Sequence, residues 1–483
     1  LIGLVPKSNC DDGEKKLKIA SLEMLEAAVA RDLELVGYPE GAWVPARRHV
    51  EAPVLDVVIA GGGQSGLAVA AELKRARVAN ILVVDEAAAG GEGIWRRFAR
   101  MKTLRTHKKV TGPDMGMPNL TFQAWYEAQH GAAAFATLGK IDKGDWQTYL
   151  AWFARVLALP VRNRTRFEGA TPDGAFLRIA LTCDGRSETV YARKLVLAMG
   201  IESSGRWWMP PEIEALPQHL RAHAADAIDF PKLTGKRVAV IGAGASAFDN
   251  AATALEHGAA EVVVLCRRPE LQRVQPYKII ANPGFLGNFA SLPDAMRWRL
   301  ANHLLTVREA FPKETWERAR SHSNFRLVTN AGVRAARAQD GCAMLTTPVG
   351  DFVADFVIAG TGFDVDLALR PELAGIAEHV ATWGDCYVPP AELANPRLAR
   401  YPYLDAGMAF TQKVPGAVPW LDRIHCFNFG ATASFGPSGS SISAMKFAAP
   451  HLARALVRDL FCADIAHHAQ ALLDYSTPEF DPR

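Results

Sequence analysis

Cysteine is scarce and scattered. The seven cysteines lie at 10, 183, 266, 342, 386, 426 and 462, and no two form a Cys-x-x-Cys pair. That excludes a disulfide-stapled secreted scaffold and a close dithiol relay, and it points to a reducing cytoplasm. No His/Cys cluster has metal-ligand spacing, so no metal is expected. A surplus of either charge is also missing. With 54 Lys+Arg against 51 Asp+Glu, the net charge is only +3, too little to recruit nucleic acid or an anionic membrane. No run approaches the roughly 18 apolar residues of a membrane span. Lys15, Lys16 and Lys18 stand near the start, but no signal-peptide apolar core follows them. The chain opens on Leu1 rather than a methionine, the mark of a truncated chain or an alternative start codon.

What is present is a large globular chain. At 483 residues it exceeds what one hydrophobic core serves, so two or three domains are expected. Its 49% apolar and 22% charged content places it among ordinary soluble folds rather than disordered chains.

Two glycine fingerprints dominate it. The first, Gly61-Gly62-Gly63-Gln64-Ser65-Gly66, follows the apolar run Val57–Ala60 and precedes a helical stretch to Arg75. The second, Gly242-Ala243-Gly244-Ala245-Ser246-Ala247, follows Val238–Ile241. Each reads as strand, Gly-rich turn and helix, which sets a pyrophosphate on backbone N–H groups at a helix N-terminus. Two fingerprints imply two nucleotide-shaped ligands. The ends of the following strands distinguish them. Ile81–Val84 ends in Asp85 and Glu86, where an acid hydrogen-bonds a ribose diol. Val262–Cys266 ends instead in Arg267 and Arg268, whose planar guanidinium groups suit a 2′-phosphate. The first ligand is therefore read as FAD and the second as NADPH.

The rest of the chain is organised around these units. Leu22, Leu25, Val29, Leu33 and Val36 share a face of a helix expected over about 17–36, ended by Gly37, Pro39, Gly41 and Pro45. It is expected to brace the body. Strand-like runs follow at 176–179 and 189–191, and Leu195–Gly200 reads as a buried strand ending in a Gly turn. Phe356–Phe363 repeats that pattern. Beyond the two nucleotide units there is no internal repeat. The expected fold is α/β, two dinucleotide-binding Rossmann-like domains with the NADPH domain inserted in the FAD domain. The expected boundaries are 1–50 (helical extension), 51–204 (FAD, first part), 205–355 (NADPH) and 356–483 (FAD, second part and C-terminal helix). The aromatics of 269–330 are expected mainly in a core, with a channel lining as the alternative.

The order of these motifs resembles class B flavoprotein monooxygenases. The resemblance adds Gly90–Trp95 and Gly360-Thr361-Gly362-Phe363 and runs from about Val54 to Leu460. It implies hydride transfer from NADPH to FAD, a flavin C4a-(hydro)peroxide formed with O2, and transfer of one oxygen atom to a small molecule. Residue by residue, it implies that Gly61, Gly63, Gly66 and Asp85 hold FAD, with Gln64 and Ser65 beside them and Trp95 near the flavin. Gly242, Gly244, Ala245, Ser246 and Arg267 match the NADPH site, and Thr361 and Gly362 border both domains. Leu104–Lys108 resembles a flavin-side run of one branch, which makes Arg105 and His107 the catalytic candidates, with a salt bridge as the alternative for Arg105. The turn Thr432–Ser441 is a further candidate for backbone donors near the flavin.

The chain departs from the family in two places. Ala247 replaces a glycine, and the linker fingerprint of the Baeyer–Villiger type is largely missing around His223. The second departure favours oxygenation at nitrogen or sulfur. Ketone oxygenation, an NADPH-oxidising flavin reductase or oxidase, and a non-enzymatic redox sensor are the alternatives. Neither the substrate nor the oligomeric state is specified, and a homo-oligomer stays open.

Overall fold

A computed structural model of the chain describes residues 22–37, 41–50, 52–109, 112–307, 309–437 and 441–480. The expected brace is helix α1 (Leu22–Leu35), with Leu25 and Val29 fully buried. Residues 17–21 of that expectation lie outside the described residues. The first sheet begins with β1 (Arg47–His49) and β2 (Ala52–Ala60), joined antiparallel. From Val57 to Ala60 every residue of β2 is buried, as a parallel strand covered on both faces requires. A glycine turn leads to α2 (Gln64–Arg75) and then β3 (Ile81–Val84). Helix α3 (Lys143–Val156) follows, its N-terminus capped by the Asp142 carboxylate on Gly144 N at 2.6 Å. Next come β4 (Val161–Arg162), β5 (Thr165–Asp173), β6 (Phe176–Cys183) and β7 (Arg186–Leu197).

Strand β7 joins two kinds of sheet. Arg186–Ala192 pairs antiparallel with β6, while Tyr191–Leu197 pairs parallel with β2. The runs at 189–191 and 195–197, expected to be separate, are one strand. The spatial order is β4-β3-β2-β7-β6-β5.

The chain then leaves through β8 (Gly205–Trp207) into a second, all-parallel sheet. Its strands are β9 (Arg221–His223), β10 (Arg237–Ile241), β11 (Glu261–Leu265) and β12 (Phe325–Val328), completed by a later strand. Helix α4 (Ala245–Glu256) follows the second glycine turn, and α5 (Asp294–Val307) and α6 (Lys313–Arg320) precede β12. An antiparallel meander of β13 (Ala335–Gln339), β14 (Cys342–Thr347) and β15 (Gly350–Ala354) lies beside it. The completing strand is β16 (Phe356–Ala359), hydrogen-bonded to β10 and β9. This corrects the boundary expected at 355/356, which would cut β16 from the sheet it belongs to. The chain returns through β17 (Phe363–Val365), antiparallel to β8. The other expected edge, at 50, likewise leaves β1 in the extension although it pairs with β2.

Back in the first unit, β18 (Ile424–Cys426) pairs parallel with β7. Helices α7 (Met445–Ala463) and α8 (Ile465–Asp474) finish the described chain. The second α/β unit is thus inserted in the first.

Candidate functional site

Both glycine turns carry a steric requirement that only glycine meets. Gly61 has φ +106°, and a Cβ there would lie 2.5 Å from Ala198 O. A Cβ on Gly66 would run into Gly61 O, and one on Gly242 (φ +113°) into Gly360 O. The close helix–strand approach is solved oppositely in the two units. In the first the glycine is on the helix, Gly66, packed against Gly61 O and Ile59 Cγ2. The second pairs Ala247 on the helix with Gly360, where a Cβ would sit 2.6 Å from Ala247 Cβ.

Helices α2 and α4 begin at Gly63 and Gly244, and neither has a side-chain cap. Their first-turn N–H groups are the unsatisfied donors of a helix end, with the positive end of the helix dipole behind them.

Both turns open onto one continuous cavity of 2630 Å³. A drug-sized ligand occupies a pocket of about 300–1,000 Å³, so the space admits more than one dinucleotide. All the sequence-derived site residues line it except Gly66, which packs beneath the first turn. At the end of β3, Asp85 accepts Gly62 N–H at 2.7 Å and Ala87 N–H at 2.8 Å. Burial pushes its carboxyl up, and those two donors pull it back. Each oxygen keeps a further lone pair for a hydroxyl. Glu86 is instead ion-paired with Arg97 at 3.3 Å. Gln64 Oε1 accepts Trp146 Nε1–H at 3.3 Å. Trp95 is buried against the cavity wall. Thr361 Oγ1 donates to Trp208 O beside the β8/β17 crossing.

At the end of β11 the two arginines part. Arg268 donates to Thr306 O at 2.8 Å and Val307 O at 3.1 Å, satisfying the C-terminus of α5. The exposed Arg267 guanidinium makes no hydrogen bond or ion pair among the described residues.

Arg105 does line the cavity, but both ends of its guanidinium are engaged. Nη1 meets Glu309 at 2.8 Å and Nη2 meets Asp249 at 3.3 Å. His107 is exposed at the rim, its Nδ1 accepting Lys109 N–H at 3.2 Å. Of the turn 432–441, residues 438–440 lie outside the described residues; Thr432 and Ser441 line the cavity.

Some lining residues carry no motif that marks them in the sequence. Asp249 is one helical turn past Ala245 and so faces as that residue does. Trp207 stacks on the buried His223 at 5.1 Å and donates to Glu202 Oε1 at 2.9 Å. Burial holds the His223 ring at about 4, so it is neutral. The aromatics of 269–330 divide between both expectations. Phe311 stacks on buried Phe248 at 4.1 Å and also lines the cavity, while Trp298 is buried against Trp383 in a separate core.

Comparison with known proteins agrees with this geometry. The family described as pyridine nucleotide-disulphide oxidoreductase matches residues 58–309. The FAD-dependent urate hydroxylase of Xanthomonas campestris pv. campestris is 41% identical over 463 residues, 95% of this chain and 97% of that protein. The ornithine N-hydroxylase of Kutzneria sp. 744 superposes with a TM-score of 0.68 at 17% identity, covering 84% of this chain and all of that one. The flavin-containing monooxygenase of Stenotrophomonas maltophilia does so with a TM-score of 0.52 at 18% identity, covering 85% and 99%. At those identities the two structures attest the shared fold.

Proposed function

The chain belongs to the pyridine nucleotide-disulphide oxidoreductase family, among its class B flavoprotein monooxygenases, and on that premise we propose that it oxygenates urate or a closely similar oxidised purine, using FAD, NADPH and O2. The family name mentions disulphides, but every cysteine among the described residues is free. The observation that carries the substrate class is the 41% identity across nearly the full length of a urate hydroxylase.

The residues present fit the two cofactors. The glycine cradle at 61–66 and the uncapped start of α2 would hold the FAD pyrophosphate, and Asp85 its ribose hydroxyls. The turn 242–246 and the start of α4 would hold the NADPH pyrophosphate. Arg267, with no competing partner among the described residues, would take the 2′-phosphate. When bound, FAD supplies the hydride acceptor and the centre at which dioxygen is activated. The chain binds, orients and excludes water around that chemistry. Thr361 and Gly362 would border both ligands at the interdomain crossing.

The test is NADPH consumption by the flavin-loaded enzyme with urate, L-ornithine, an alkyl sulfide and a cyclic ketone. Urate is expected to accelerate NADPH oxidation and to be consumed one-for-one with it. Acceleration by ornithine or the sulfide alone would move the reading to amine or sulfide oxygenation. Stoichiometric hydrogen peroxide with every compound would make the protein an oxidase.

A further inference from the structure

The cavity lies between two units joined covalently only by β8 and β17. Away from that crossing, a strap of the first unit runs along the second. Arg100 Nη2 donates to Asp226 O at 3.0 Å, and Lys102 meets Glu256 at 2.8 Å. Arg105 ends the series on Asp249 and Glu309. These anchors recur every two or three residues along 100–105. Arg318 of α6 binds the same two acids, Asp249 at 3.3 Å and Glu256 at 3.0 Å, and Thr315 Oγ1 donates to Asp249 at 3.0 Å.

The centre of this ladder is buried. The Asp249 side chain is 3% exposed and that of Arg105 25%. Loss of Arg105 would leave this buried carboxylate with one of its two cations and under-compensated, whereas an exposed pair lost to solvent changes little. Asp249 also sits one turn into α4, whose N-terminus carries the second glycine cradle. Whatever fixes Asp249 fixes that cradle relative to the first unit.

We propose that Arg105 and Asp249 form a positioning pair that sets the second nucleotide unit in register with the first, so that NADPH bound in one delivers its hydride to the acceptor in the other. This assigns Arg105 a role through Asp249 rather than on the reacting atoms. It rests on the reading that both cofactors share the cavity. The groups facing the pair are Glu309, Arg318, Thr315 and, one rung out, Glu256 and Lys102.

The experiment compares Arg105→Met, Asp249→Asn, their double variant and Arg105→Lys with the wild type, as full chains. Differential scanning calorimetry of the flavin-free chains reads the pair without catalysis. Stopped-flow spectroscopy then reads flavin reduction by NADPH and, separately, by dithionite, which needs no docking. Each single variant is expected to lower the unfolding temperature, and the double variant to fall no further than the worse single. Reduction by NADPH is expected to slow at least tenfold, with dithionite reduction unchanged and Arg105→Lys recovering most of the rate. Wild-type NADPH reduction in both singles, or losses that simply multiply in the double, would overturn the pair. Slowing by dithionite as well would reduce the effect to a damaged flavin site and also overturn it. A wild-type enzyme that dithionite reduces but NADPH never does would sink the functional reading itself.

Discussion

At the residue scale, the sharpest local constraint is the exchanged glycine. Ala247 breaks the fingerprint's last position, and the sequence alone shows only that alanine is small. The structure supplies its complement, Gly360, just past the end of β16. A partner so far along the chain gives no local signal. Gly360→Ala is expected to cost about 1–3 kcal/mol through overpacking. Adding Ala247→Gly is expected to restore only part of this, because the new Cβ would still lie 2.8 Å from Cα and 3.1 Å from N of residue 247, and a helical glycine costs about 1 kcal/mol of its own. Urea unfolding of the two singles and the double checks it, and strict additivity would contradict the direct contact. Arg267 and Arg268 make a second case. Both were legible as cations at the end of β11, but their division of labour depends on where α5 ends. Arg267→Ala is expected to raise KM for NADPH by about tenfold or more and to leave KM for NADH unchanged. Arg268→Ala is expected to lower stability instead, by freeing two helix-terminal carbonyls. Steady-state kinetics with both coenzymes, beside thermal unfolding, separates the two.

At the element scale, buried parallel strands and fingerprint helices were legible because their signals are local: apolar runs, glycine turns, helical spacing. Element ends were not. The expected C-terminal helix, α7, starts only at Met445, where the Ser/Gly-rich stretch finally gives way. Serine there bonds locally, with Ser441 Oγ accepting Ala444 N–H at 3.4 Å, and so competes with helix. The boundary at 355/356 failed because β16 and β17 differ in sheet, not in composition. Helix α1 was legible as a brace. Glu26 on its outer edge accepts Trp152 Nε1–H at 3.1 Å, so the helix is pinned by polar as well as apolar contacts. Leu25→Ala is expected to cost about 2–5 kcal/mol while leaving KM for NADPH unchanged, read by chemical denaturation and kinetics. A matching rise in KM would tie the brace to the site.

At the scale of the whole molecule, the inserted topology followed from the repeated strand–glycine pattern, whereas the bridges between units did not. Arg105 illustrates why. Its sequence neighbourhood pointed to the flavin side, but its partners come from α4 and from residue 309, and tertiary pairing leaves no mark on spacing. Global stability also carries a pH signature. Burial holds His223 and His425 at about 4, well under the ordinary histidine value. In both, the unfolded chain takes up a proton first, so stability is full above about pH 6.5 and falls as pH drops toward 4. Burial raises Asp56 to about 6, which acts with the opposite sign. His425 is not among the cavity-lining residues, and its Nδ1 donates to Gly407 O at 2.8 Å. His425→Gln is expected to remove about 1.4 kcal/mol per pH unit of slope between pH 6.5 and 4. Urea midpoints across that range test this, and an unchanged slope would contradict a neutral buried ring.

Strands β8 and β17 run side by side, close enough that a Cβ on Gly205 would strike Asp364 O. Exit and re-entry therefore share one doorway in the first unit. In evolutionary terms, a gene for such a protein needs only a single splice point to gain or exchange its coenzyme module, and the host sheet need not be rebuilt around it.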